Sequence, residues 1–174
     1  MADISRYGTN VTLVGSNNRR PHAKGLATTF PGTSAQSGTK APLKSWLDPN
    51  GGNKISFFSW IYWTASTEAY NSIVEKYTGS VGWASIIKSN GQLCTYIQGS
   101  SIANIDGTGQ TMVVNKWYHV GFTYDGTTLR NYVNGVQDAS STQTTTIGAT
   151  PSDQLKISYS RFGSGRYFQG SIDD

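Results

Sequence analysis

NKWYHVGFTYDGTTLRNYVNG, residues 115–135, is the stretch whose reading decides the fold. Residues 117–124 alternate, so Tyr118, Val120, Phe122 and Tyr124 share one face of an extended strand. Asp125-Gly126-Thr127-Thr128 reads as a turn, because Asp bonds its own nearby backbone and Gly accepts positive φ. Residues 129–134 return antiparallel. Asn134-Gly135 then carries the type I′ signature and leads into a further strand over 136–139. Three strands joined by two tight turns make a meander.

Similar segments lie on both sides of it. Residues 55–63, ISFFSWIYW, form the strongest strand. Ile55, Phe57, Ser59 and Ile61 fall on one face and Phe58, Trp60 and Tyr62 on the other. Both faces are apolar, so both are expected to be covered. The loop over 31–53, with Trp46 and Leu47, is the expected cover for the second; left bare, that stripe would offer flat rings to a sugar. Residues 64–72 read as a loop with a helical turn. Residues 72–77, 83–88 and 92–98 read as a second meander, with Ser89-Asn90-Gly91 as a hairpin turn. Residues 155–159 are a late strand with Leu155, Ile157 and Tyr159 inward, and 10–14 and 26–30 are weaker early ones. The tally is about eight to eleven short strands without a repeat near 40 residues, which favours a two-sheet sandwich over a propeller.

Composition agrees. Val, Ile and Thr number 41 of the 174 residues, whereas Leu, Met and Glu number 11. Branched side chains lose rotamers in a helix and fit a pleated surface. A coiled coil, a helical bundle and a doubly wound α/β enzyme are excluded, and 36% apolar residues exclude a disordered chain. Cys94 is the single cysteine, so neither an intrachain disulfide nor a thiolate metal cluster can form, and its place in an apolar run makes it a packing residue. Met1-Ala2-Asp3-Ile4 lacks a signal-peptide pattern and no long apolar run is present, so the expectation is folding in a reducing cytoplasm, with no membrane span.

Charge is concentrated at the start. Residues 1–44 hold Arg6, Arg19, Arg20, Lys24, Lys40 and Lys44 against Asp3. The net charge of +4 therefore belongs to the N-terminal quarter. Residues 1–24 read as a basic, irregular extended arm and 25–174 as the sandwich. Such an arm can lie on its own domain or bind an acidic protein partner, with Arg6, Arg19, Arg20 and Lys24 as contacts. Nucleic acid is not expected, because Arg19-Arg20 is too short a cluster and base-stacking motifs are absent.

The meander at 115–135 resembles the concanavalin A-like lectin/glucanase superfamily, in its laminin-G-like branch found in phage and bacterial surface proteins. ISFFSWIYWTAS (55–66), SIVEKYTGSVGWASIIKSNGQL (72–93) and IGATPSDQLKISYSRFGSGRYFQGSIDD (147–174) resemble further pieces of the family in the family's order. The resemblance implies an all-β, two-sheet antiparallel β-sandwich of jelly-roll type with an irregular N-terminal arm. Two departures stand out. The family continues beyond the Ile-Asp-Asp element into another strand, which here would come from the arm, from a neighbouring chain or from sequence beyond Asp174. Asn131 replaces an apolar core residue, so it needs hydrogen-bond partners or faces a groove.

Glycosidases of the superfamily need a carboxylate pair flanking the scissile bond. Only Glu68 and Glu75 are present, in different segments, and Asp173 and Asp174 are adjacent and point to opposite faces. No catalytic residue is assigned and no enzyme activity is expected. His119 reads as a structural imidazole packed on a sheet. The resemblance makes calcium the one plausible metal, with Asp106, Asp125, Asp173 and Asp174 as candidate oxygens. Asp106-Gly107 and Asp125-Gly126 are equally ordinary turns, so no metal ligand is assigned. Trp83, Tyr70, Tyr77 and Tyr167, at loop tips beside Asn and Gly, are the candidate glycan contacts. Two functions follow as expectations. The first is a virion structural protein, a capsid decoration or cement subunit. It would reach the outside without export and attach to a capsid shell and sister copies, as a homo-oligomer, through arm and sandwich edge. The second is a carbohydrate-binding lectin or adhesin domain.

Overall fold

A computed structural model of the chain describes residues 12–14, 18–22, 25–32, 37–40, 52–65, 68–150, 154–160 and 166–173. These residues form fourteen strands and no helix. In chain order they are β1 (Thr12–Val14), β2 (Asn18–His22), β3 (Gly25–Pro31), β4 (Ser37–Lys40), β5 (Ile55–Ala65), β6 (Tyr70–Tyr77), β7 (Gly82–Lys88), β8 (Leu93–Gln98), β9 (Ile102–Asp106), β10 (Lys116–Tyr124), β11 (Thr128–Val133), β12 (Val136–Thr142), β13 (Leu155–Ile157) and β14 (Gln169–Asp173). They build two seven-stranded antiparallel sheets. One runs β12-β11-β10-β5-β14-β3-β2 and the other β1-β4-β13-β6-β7-β8-β9.

The central meander stands as its sequence requires. Val120 pairs with Val133 and Tyr124 with Leu129 across β10 and β11. Asn134 and Gly135 both have positive φ, 53° and 79°, as a type I′ turn demands. Both meander and β5 send the expected faces inward: Ile61, Trp63, Val120, Phe122, Leu129 and Val133 are buried. They meet Trp83, Ile87, Leu93, Ile97 and Ile105 of the opposite sheet. Each such side chain contributes about 1.5–3 kcal/mol on burial.

Asn131 is fully buried in this core and is satisfied there. The Thr95 hydroxyl donates to its Oδ1 at 2.6 Å, and its Nδ2 donates to the carbonyls of Leu93 and Ile105 at 3.0 and 3.3 Å. The amide therefore ties β11 to β8 and β9 across the sandwich.

Several expectations need correction. The helical turn in 64–72 does not form in the described part: β5 runs on to Ala65 and β6 begins at Tyr70. β9 is a further strand that the sequence reading did not assign: Ala103 and Ile105 alternate inward, but the segment is only five residues long and runs into Asp106-Gly107, which reads as a turn. Tyr159 does not continue β13 inward. Ser158 takes a left-handed φ of 62°, which ends the strand and turns Tyr159 out onto Tyr167, 5.6 Å away between ring centroids. Among the described residues of the N-terminal segment, β1 pairs with β4 and β2 pairs with β3. β14 is not an edge: β5 flanks it on one side and β3 on the other.

Candidate functional site

The outer face of the β6-β7-β8-β9 sheet carries a groove of about 240 Å³. Strand register places its parts. Ile86 faces Cys94, and Cys94 faces Asp106, in one row across β7, β8 and β9. Ala84, Tyr96 and Asn104 make the adjoining row. Tyr70 lies opposite Lys88 at one end. Ala84, Ile86 and Cys94 are a buried apolar floor, against which the rings of Tyr70 and Tyr96 pack. Arg166 closes the wall, its guanidinium 4.8 Å from the centroid of the Tyr70 ring.

The polar groups of the groove are held in place. Lys88 Nζ donates to Asp106 Oδ2 at 2.5 Å. That bond holds the lysine ammonium above its usual range. Burial alone would raise the Asp106 carboxyl, but the Lys88 bond and the Cys94 thiol outweigh it, and the net direction is downward. Burial, then the adjacent Asp106 carboxylate, pushes the Cys94 thiol up to about 12, so it is inert as a nucleophile at neutral pH. Asn104 is exposed at the opposite rim.

A second polar group lies beside the groove. Glu75 is fully buried opposite Lys156, with Oε1 3.6 Å from Nζ. Tyr77 sets its ring edge on Tyr96 at 5.5 Å, and both hydroxyls bond Gln98 Oε1. Burial, then the Tyr96 bond, holds the Tyr77 hydroxyl well above the usual tyrosine range.

Of the expected glycan contacts, Tyr70 lines the groove. Tyr167 stands nearby, bridged to Ser72 through the backbone. Tyr77 shares the outer face but is buried. Trp83 is not at a loop tip. It is buried, 6.3 Å from Phe57 and 5.8 Å from Phe122 between ring centroids. Its alternation with Ser85 and Ile87 already marked that inward face. Tyr96, Asn104, Lys88 and Arg166 went unnoticed in the sequence, because they converge from four segments separated by turns. Arg19 and Arg20 lie on β2 of the other sheet, and Arg6 and Lys24 fall outside the described residues.

Among the described candidate calcium oxygens, Asp106 and Asp125 are each held by other partners. Asp106 is bound to Lys88. Asp125 accepts bonds from Thr127, Thr128 and Arg130 within its own turn. Asp174 lies outside the described residues, and among those described no three His, Cys, Asp or Glu side chains form a metal-holding group. Asp106 and Asp125 therefore do not share a calcium site.

On the opposite sheet, Phe58 stacks on His119 at 5.6 Å, and His119 meets Trp60 at 5.2 Å. The imidazole is thus a packing element of that face. Trp46 and Leu47, the expected cover, lie outside the described residues.

Residues 31–174 match the concanavalin A-like lectin/glucanases superfamily, and the chain belongs to that family. No curated protein matches the sequence. The binding domain of Paraclostridial Mosquitocidal Protein 1 is similar with a TM-score of 0.76 and 14% identity, over 99% of this chain and 45% of that one. The botulinum neurotoxin serotype G binding domain is similar with a TM-score of 0.75 and 13% identity, over 99% and 44%. Domain 4 of AbnA, an extracellular GH43 arabinanase from Geobacillus stearothermophilus solved in complex with arabinotriose, is similar with a TM-score of 0.69 and 15% identity, over 94% and 79%. The likeness is one of fold, and the chain spans less than half the length of the two toxin domains.

Proposed function

We propose that this chain is a non-catalytic carbohydrate-binding module and that the groove on the β6-β7-β8-β9 face is its sugar site. The observation that carries this reading is the pairing, in one concavity, of the Tyr70 and Tyr96 rings with fixed polar groups at the rim. Sugars present apolar C–H faces and hydroxyl edges, and sites that hold them combine aromatic surface with a few placed donors and acceptors. Glu75, the buried carboxylate nearest the groove, is committed to Lys156, which supports binding over hydrolysis. The fold accommodates an oligosaccharide in domain 4 of AbnA. The capsid-decoration reading rests on the basic N-terminal segment and draws nothing from the groove, so the lectin reading takes precedence.

A glycan array followed by calorimetry on the array hits tests this, run with and without calcium. Asn104→Ala, at an exposed position, should weaken a hit at least tenfold without changing the unfolding temperature. Tyr96→Ala should abolish it, with circular dichroism confirming the sandwich. An array without hits, or a hit indifferent to both variants, overturns the assignment.

A further inference from the structure

The groove has two chemically distinct levels. Its floor is apolar. Ala84 is fully buried there, and Ile86 and Cys94 keep only 6% and 7% of their surface exposed. These three form a small apolar cluster apart from the two that fill the sandwich, and the rings of Tyr70 and Tyr96 pack against it. The Cys94 thiol stays protonated at neutral pH, so the floor carries no charge. The polar groups stand around it. Lys88 lies two positions beyond Ile86 on β7 and lines the same groove. Its ammonium carries three N–H donors and gives one to Asp106. The Lys88 side chain is 25% exposed, so donors remain within reach of a ligand.

We infer that the groove selects a sugar bearing an acetamido group, an N-acetylhexosamine, with the acetyl methyl on the Ile86–Cys94 floor and the acetyl carbonyl accepting a hydrogen bond from Lys88. The inference rests on the carbohydrate-binding reading above and adds the class of sugar. A hydroxyl pressed onto this floor would lose its water and meet aliphatic carbon and a weakly bonding thiol. A methyl gains by the same transfer. The slight exposure of Ile86 and Cys94 suits a group of methyl size, while the wider ring edge of the sugar stays at the rim with exposed Asn104. An acetamido group is the sugar substituent that sets a methyl and a hydrogen-bond acceptor on adjoining atoms, as this floor and Lys88 require.

The test is ligand-observed NMR titration with methyl glycosides of N-acetylglucosamine and N-acetylgalactosamine. Their N-formyl analogues keep the carbonyl without the methyl, the parent hexosides lack both, and methyl α-L-fucoside has a methyl without an amide. One N-acetyl glycoside should bind at least about fourfold more tightly than its N-formyl analogue, the worth of one buried methyl. Saturation transfer should be strongest at its acetyl methyl. Cys94→Ser should bring N-acetyl binding down to the N-formyl level. Ile86→Val removes one methyl from the floor and should shift the preference to the N-propionyl analogue, with circular dichroism melts confirming the sandwich in both variants. A merely structural role for Ile86 and Cys94 would weaken all the sugars alike without reordering them, and that result overturns the inference. Equal binding of the N-acetyl, N-formyl and parent glycosides, or tighter binding of the fucoside, also overturns it. If that binding is lost in Asn104→Ala, the module reading stands. Failure of every probe to bind overturns the inference, and the independent glycan array then decides the broader reading.

Discussion

Asn131 shows how one side chain can be visible in a sequence while its role is not. Its place between Leu129 and Val133 marks it as an inward residue that ought to be apolar. Its partners come from β8 and β9, more than twenty residues away, and only the stacking of the two sheets supplies them. Asn131→Ala should cost about 2–3 kcal/mol in urea denaturation, because it strands buried polar groups as well as losing bonds. Asn131→Leu with Thr95→Val should cost clearly less than the sum of the single changes, since both members of the hydroxyl–amide bond leave together. Cys94 makes a second residue-scale prediction. Its folded pKa is raised, so the protonated thiol is favoured in the native state. That contribution to stability is fully present below the unfolded thiol value and fades as pH rises toward about 12. Iodoacetamide at pH 8 should leave Cys94 unmodified in the folded protein and alkylate it readily in urea. Rapid native-state alkylation would contradict the burial described.

At the scale of elements, strands and turns follow local rules with few exceptions, and the exceptions are backbone irregularities. β14 carries a register shift at Gln169 and Gly170, where Gly170 has a φ of 148°. A Cβ there would stand 1.9 Å from the carbonyl oxygen of Tyr62 on β5. Gly170→Ala should therefore separate two central strands and lower stability by more than about 2 kcal/mol, measured by thermal melting. Within QGSID the glycine is the one local sign of this bulge, and the backbone that it must pass belongs to the neighbouring strand β5. Glu75 and Lys156 show the same limit. Each looks like a solvent-facing charge on an amphipathic strand, yet register sets β13 against β6 and buries them as a pair. Glu75→Gln should destabilise the fold by about 3–5 kcal/mol, the effect of leaving a buried cation without its counter-charge.

For the whole molecule, the Lys88–Asp106 pair joins two strands of the groove sheet and makes stability depend on pH at both extremes. Asp106 is depressed in the folded state, so its contribution is present above the unfolded carboxyl value and lost as pH falls through the folded one. Lys88 is raised, so its contribution is present below 10.5 and lost as pH rises through its folded value. The pair is partly exposed, with side chains 25% and 39% accessible, and solvent screening limits the effect to at most about 1 kcal/mol. Asp106→Asn should lower the neutral plateau of a stability–pH curve by at most about 1 kcal/mol and leave stability at acid pH, where the wild-type carboxyl is protonated, nearly unchanged.

The alternation at 55–63 and 115–135, the Asn-Gly turn and the abundance of branched residues were enough to determine an all-β sandwich and the inward faces of its central strands. Those signals are local: the side-chain period of a strand and the φ tolerance of a turn residue act within a few positions. The groove is a product of pairing between strands distant in sequence. Tyr70, Lys88 and Tyr96 come from β6, β7 and β8, Asn104 and Asp106 from β9, and Arg166 from the segment before β14, and only the tertiary fold brings them together. The closing of the two sheets likewise gives the buried amide of Asn131 its partners. A single strand's periodicity states which face a residue takes. Which neighbours it meets there is decided only when the sheets have closed.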